Sequence, residues 1–187
     1  MATMSNSSRR FQLDLATFMA MVMLFLFSLV PAMADGGVIK QTNMTVYFHD
    51  YSAGPNATSL PMVGFPGKLW SYTDFGTFVM TDDLVTEGPE LTSAVVGRGQ
   101  GISITAGLDG INAYVSFSLV FTNKAYNGST LQVQGNGNRF LPVREYSVLS
   151  GTGKFRYATG YLTFETLSSD PSTFYTLFRV NVTVRHH

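Results

Sequence analysis

The stretch VREYSVLSGTGKFRYATGYLTFET, Val143–Thr166, decides the fold. It reads as a strand, a tight turn at Gly151-Thr152-Gly153 and a second strand. Glycines at both ends of the turn predict backbone angles that residues with a Cβ adopt reluctantly. Such a hairpin, late in a chain that reads as all-β, is a wall of a barrel or a sandwich. It also carries Arg144 and Glu145, adjacent charges in a chain of which only 13% is charged. What Arg144 faces is therefore the question the sequence poses. It could bind an anionic oxygen or a carboxylate inside the fold, or it could form an outward salt bridge.

Strand periodicity extends outward from this hairpin over most of the chain. Met44, Val46 and Phe48 alternate with Thr45, Tyr47 and His49, which puts Asp50 on the apolar face at the strand's end. The longest alternation is Ile111–Thr122, with Ile111, Ala113, Val115, Phe117, Leu119 and Phe121 on one side. Further strands are expected at Ser59–Phe65, Phe75–Asp82, Ile102–Ala106, Leu131–Gln134 and Phe174–Val184, the last with Phe174, Phe178, Val180, Val182 and Val184 on one face. Turn signals separate them at Ser52–Asn56, Pro66-Gly67, Tyr126–Ser129 and Gly135–Asn138. No segment after the N-terminal region keeps a 3.6-residue period with caps. About eight antiparallel strands make a barrel or a sandwich. A barrel removes exposed edges and can enclose one small ligand.

Residues 1–34 read as a signal peptide, with Arg9 and Arg10, an apolar run from Phe18 to Val30 and a small-x-small site at Ala32–Ala34. The expected mature domain is 35–187, secreted and extracellular. Four N-x-[ST] sites then gain meaning: Asn43, Asn56, Asn127 and Asn181, with Asn56 and Asn127 in turn-like contexts.

The totals exclude several function classes. Twelve basic and twelve acidic residues cancel, so no field draws in nucleic acid. The chain has no cysteine, hence no disulfide, thiol nucleophile or Cys-based metal site. Of its three histidines only His49 lies within the predicted strands, and there is no G-x-S-x-G elbow for a Ser-His-Asp triad. No metal and no cofactor are expected.

A few residues carry candidate chemistry. Asp50, if desolvated in a cavity, would titrate high enough to act as acid or base; otherwise it is a solvated strand-end residue opening a turn. Asp82-Asp83 reads as an acidic pair beside a loop, and its neighbours Glu87 and Glu90 fit no calcium loop. Gly97-x-Gly-x-Gly101 enters a strand rather than leaving one for a helix, so close backbone packing explains it better than a dinucleotide.

Several stretches jointly resemble the plant dirigent family. They are Val46–Asp50 (VYFHD) with Gly54–Thr58, Phe75-Gly76, Asp82-Asp83 with Thr86–Pro89, Val96–Gly101, Leu119–Phe121, Tyr126–Leu131, and Val143–Glu145 through Ser150–Phe155. The resemblance implies an eight-stranded antiparallel β-barrel related to allene oxide cyclases, trimeric and secreted to the apoplast. It implies a small phenolic substrate and no cofactor. A separate laccase or peroxidase would make phenoxy radicals whose coupling to lignans the barrel steers. Other members close a ring on a quinone methide with loss of water, as pterocarpan synthases do. A third possibility is a non-catalytic barrel that carries an apolar ligand in the cell wall. The family's cavity aspartate falls on Asp50, its arginine on Arg144 and a cavity threonine on Thr166. Two cavity tyrosines of pinoresinol-forming relatives fall on Ser103 and Thr105, and their second aspartate falls on Gly137.

Overall fold

The computed structural model describes Phe18, Met19, Val22 and residues 38–63 and 71–187. Residues 1–37 and 38–187 are separate compact units. The expected signal segment falls almost wholly outside the described residues, of which Phe18, Met19 and Val22 are helical. No described helix is long and apolar enough to cross a membrane.

Among the described residues there are nine strands: β1 (Lys40–Tyr51), β2 (Ser59–Val63), β3 (Phe78–Thr86), β4 (Val95–Thr105), β5 (Asn112–Phe121), β6 (Thr130–Asn138), β7 (Val143–Thr152), β8 (Thr159–Asp170) and β9 (Tyr175–His186). All pairings are antiparallel, in the order β1-β9-β8-β7-β6-β5-β4-β3-β2, and β1 also pairs with β3. That last pairing closes eight strands into a barrel, with β2 laid along the first half of β3. The closing contact is short, Tyr47–His49 against Leu84–Thr86. Past it the chain leaves β3 at Asp50 and regains it at Ser59, opposite Thr81. β1 and β2 are thus one wall strand interrupted by a loop, and Asp50 stands at the interruption.

Alternation fixes the inner face. Along β5 it holds as the sequence reads: Ala113, Leu119 and Phe121 are buried, and Val115 and Phe117 pack against the core. One end of the barrel is filled by Leu119, Phe121, Leu131, Phe155 and Val184, all 0–1% exposed. The middle carries a cluster of tilted and edge-on rings, with Phe48–Phe164 centroids 5.1 Å apart and Phe117–Phe164 and Phe164–Phe178 both at 5.8 Å. Gly99 makes room for one of them, since a Cβ there would lie 2.2 Å from Phe48 Cε1. Close packing is therefore the reason for at least this glycine of the cluster.

The expected boundaries shift at several places. β3 runs on through Asp82-Asp83 to Thr86, so these carboxylates lie in a strand rather than beside a loop. β4 begins at Val95 and contains the glycine cluster. The expected tight turn is longer: Gly153, at φ +60°, opens a one-turn 3-10 helix, Gly153–Phe155, which drives Phe155 into the core. Phe174 is not on the inner face of β9; it sits in the preceding turn at φ +57°, 48% exposed.

Candidate functional site

A cavity of about 390 Å³ opens above the ring cluster, within the range of sites that hold one small molecule, roughly 300–1,000 Å³. It lies at the end of the barrel where β1, β4 and β8 finish and β3, β5, β7 and β9 begin, because most of its lining comes from those halves: Asp50, Ser103 and Thr166 on the first set, Val79, Ala113, Arg144 and Thr176 on the second, with Asp83 deeper along β3. Phe48, Phe117, Tyr146, Phe164 and Phe178 form its apolar part.

One wall carries carboxyl groups. Asp50 projects inward from the end of β1, and Ser59 Oγ donates to its Oδ2 at 2.8 Å. Burial raises its pKa, against the lowering effect of that hydrogen bond. Asp83 is 3% exposed. Thr58 Oγ1 donates to its Oδ1 at 2.6 Å. Burial first, then the charge of Asp50, push its carboxyl up to about 8. Asp82, one residue away, points outward and pairs with Arg98. Tyr72 closes this side: its hydroxyl donates to the carbonyls of Ser52 and Ser59, both at 3.1 Å. Burial and then the Asp50 charge push its phenol up to about 12. The wall thus presents two neighbouring carboxyls, both raised by burial, with the charge of Asp50 helping Asp83 to hold its proton.

The facing wall carries guanidinium groups. Arg144, on β7, is 9% exposed. Its Nη1 donates to Thr166 Oγ1 at 3.0 Å and to the Leu141 carbonyl at 2.9 Å, and its Cζ lies 5.3 Å from the centroid of the Phe178 ring. The pKa of the neighbouring Tyr146 is raised by burial against the opposing pull of Arg144 and Arg139. Arg139, just past the end of β6, enters the same cavity. Its Nη2 donates to Thr105 Oγ1 at 2.6 Å, and Thr105 in turn donates to the Tyr72 carbonyl at 2.7 Å. The Arg139 Nε is buried without a partner. Neither guanidinium meets a carboxylate: among the described residues the ion pairs are Arg98–Asp82 and Arg179–Glu165.

Of the residues singled out in the sequence, Asp50, Arg144, Thr166 and Ser103 line one cavity. Thr105 does not; it is 1% exposed, with its hydroxyl committed to Tyr72 and Arg139. The outward salt bridge for Arg144 is not formed. Gly137 lies beside Tyr146, and a Cβ there would sit 3.5 Å from Tyr146 Cε1 in ordinary contact. His49 is buried and structural. The Thr86 hydroxyl is donated to the Gly88 carbonyl, so it accepts from His49 Nε2 at 2.7 Å, and Nδ1 accepts from the Tyr175 hydroxyl, also at 2.7 Å. Burial lowers its pKa, in keeping with a neutral ring. Asn43, Asn56, Asn127 and Asn181 are all exposed. Sequence reasoning missed Asp83, Arg139 and Tyr72. Asp83 was legible in the alternation Val79, Thr81, Asp83, had the strand been carried past Asp82; Arg139 and Tyr72 enter from outside the strands and carry no periodic signal.

Comparison with known proteins agrees with this geometry. The model of the family described as dirigent-like protein matches residues 41–185. Dirigent protein 11 of Arabidopsis thaliana is 37% identical over 142 residues, covering 74% of this chain and 74% of that protein. Pterocarpan synthase 1 of Glycine max is 32% identical over 184 residues, covering 97% of this chain and 95% of its own. A solved structure of a pterocarpan synthase dirigent protein superposes with a TM-score of 0.72 at 32% identity, covering 80% of this chain and 86% of the other. The chain belongs to the dirigent family.

Proposed function

We propose that this barrel acts on phenolic quinone methides, forming one from a benzylic alcohol and closing it to a ring with net loss of water. The observation that carries this reading is a pair of buried carboxyls, Asp50 and Asp83, facing the buried guanidinium of Arg144 across one apolar cavity. A carboxyl that keeps its proton near neutral pH can deliver it to the leaving hydroxyl, which departs as water as the carbon–oxygen bond breaks. The electron pair comes from the substrate's phenol oxygen, bound as the phenolate against Arg144; it becomes the quinone methide carbonyl and returns to phenolate when the ring closes. A second phenolic hydroxyl then adds to the methide carbon and returns its proton to the carboxylate. One carbon–oxygen bond breaks, one forms, and the acid is regenerated. Arg144, fixed by Leu141 and Thr166, contributes a charge already in place where the oxygen becomes negative. The wall shape selects the face, and about 1.4 kcal/mol of difference between faces is a tenfold preference.

The second reading is steering of phenoxy-radical coupling, with the radicals made by a laccase or peroxidase. The ring cluster of Phe48, Phe117, Phe164 and Phe178 favours it, as a surface that holds apolar rings without any acid–base role. Secretion to the cell wall and a homotrimer belong to both readings. For the trimer, the support is the exposed apolar set Leu60, Met62, Phe78 and Met80 on the outside of β2 and β3.

Two incubations followed by chiral chromatography separate these readings. One contains an isoflavan-4-ol with a neighbouring phenol and the protein alone; the other contains coniferyl alcohol, a laccase and the protein. The expected result is enantioselective ring closure in the first, lost in Arg144→Leu and reduced in Asp50→Asn. Enantiomeric excess only in the second would replace the cyclase with the coupling reading, and no effect in either would overturn both.

A further inference from the structure

The cavity holds a second guanidinium that the ring-closing chemistry does not use. Arg139 spends one N–H on Thr105, which is itself anchored to the Tyr72 carbonyl. Its Nε is buried and unpartnered, and no carboxylate lies within ion-pairing distance of it or of Arg144 among the described residues. Arg139 is half-buried with its Nε fully covered, and a guanidinium partly withdrawn from water without a counter-charge carries a cost. A fold that keeps one, and braces it with a threonine, has a use for an anion brought from outside. The opposite wall does not supply it. Asp83 tends to keep its proton, so the two carboxyls together offer about one negative charge against two positive ones.

Resting on the reading of this cavity as the substrate site, we propose that the natural substrate is a phenol bearing a carboxylate, whose phenolic end meets Arg144 and whose carboxylate docks on Arg139. A carboxylate suits the position better than a second phenol. It is ionised at neutral pH, where a phenol with pKa near 10 is not, and its two oxygens match the planar fork of a guanidinium. Thr105 is then a positioning residue: it holds the fork against the wall and does not touch the ligand. This explains a buried threonine with a fully committed hydroxyl where a ligand contact is expected.

The test is calorimetric titration of the secreted, glycosylated protein at pH 7 with ferulate and with methyl ferulate, which differ only in that the ester erases the charge. Ferulate should bind at least tenfold more tightly. In Arg139→Gln that ratio should fall toward one, and in Arg139→Lys it should recover in part, because the charge returns without the fork. If Arg139→Gln does not fold, the wild-type ratio alone decides. A wild-type ratio near one, with both compounds bound, overturns the carboxylate inference and leaves the cavity as a phenol site. A ratio that survives Arg139→Gln also overturns it. If neither compound binds, the reading of the cavity as a phenolic site falls, and the inference with it.

Discussion

Asp83→Asn gives a quantitative test of the buried carboxyl pair. The Asp83 carboxyl is moved from 3.8 to about 8, chiefly by burial. Between those values the folded chain holds a proton that the unfolded chain has released. The unfolded state therefore binds fewer protons, and stability falls as pH rises. The contribution is whole below pH 3.8 and is lost as pH climbs through about 8. At about 1.4 kcal/mol per tenfold, a shift of this size would carry roughly 5–6 kcal/mol. Asp50 shares the equilibrium, and removing Asp83 relieves it too, so the expected net effect is about half, ~2–3 kcal/mol. Asparagine keeps an oxygen to accept from Thr58 and has no proton to lose. Urea unfolding of both proteins from pH 4.5 to pH 8.5 should therefore show the variant gaining on the wild type by that amount as pH rises. The difference between the two curves is the readout, because His49 acts in the opposite sense. Its pKa is lowered by burial, so it costs stability as pH drops below its ordinary 6.5. A pH-independent difference for Asp83→Asn would mean that Asp83 is ionised in the fold, and the acid assigned to the ring closure would be gone.

Other outcomes follow from the same geometry. Gly99→Ala would set a Cβ 2.2 Å from Phe48 Cε1; Phe48 is held in the ring cluster, so thermal unfolding should show a loss of about 1–3 kcal/mol from overpacking. Gly137→Asp should fold nearly as well as the wild type by the same measure, since its Cβ meets Tyr146 in ordinary contact; its carboxylate would compete for the two guanidiniums and shrink the ferulate preference. Peptide mass spectrometry of secreted material should find glycans on the turn sites Asn56 and Asn127 and a mature terminus near Asp35; an intact Met1 would remove the signal-peptide reading. Light scattering should give three times the protomer mass, and Met80→Lys, which puts a charge in the exposed apolar set, should lower it.

The barrel was legible because its strands alternate cleanly where one face is buried. β5 and the inner face of β9 from Phe178 to Val184, with β1 through Asp50, could be assigned from period two alone. The failures share a physical cause. β4 has glycines where alternation needs side chains, so its first half looked like a loop, although the missing side chains are what let Phe48 and β5 come close. β3 carries two adjacent carboxylates, which resemble a turn, and only pairing with β4, Asp82 to Gln100 and Asp83 to Gly99, keeps them in the strand.

The site was legible for the residues that strands carry and illegible for those that arrive otherwise. Asp50 and Arg144 occupy inner positions of regular strands; alternation and resemblance meet on Asp50, while for Arg144 the residues left an outward salt bridge open and the resemblance pointed inward. Asp83 inverts the expectation for an acidic pair: the strand sends Asp82 to water and Arg98, and Asp83 into the barrel. A solvated pair and a split pair have the same sequence, and only the three-dimensional register distinguishes them. Arg139 is harder still, because it lies one residue beyond β6 and reaches back inside through a bond to Thr105 on β4. Gly137 and Arg139 belong together in this respect. The resemblance places an acid of pinoresinol-forming relatives at Gly137; here a Cβ at that position would meet Tyr146 in ordinary contact, and two residues on stands the cation Arg139. On the carboxylate inference, Arg139 at the β6 end decides which substrate is held, while Asp83 and Arg144 serve the ring closure.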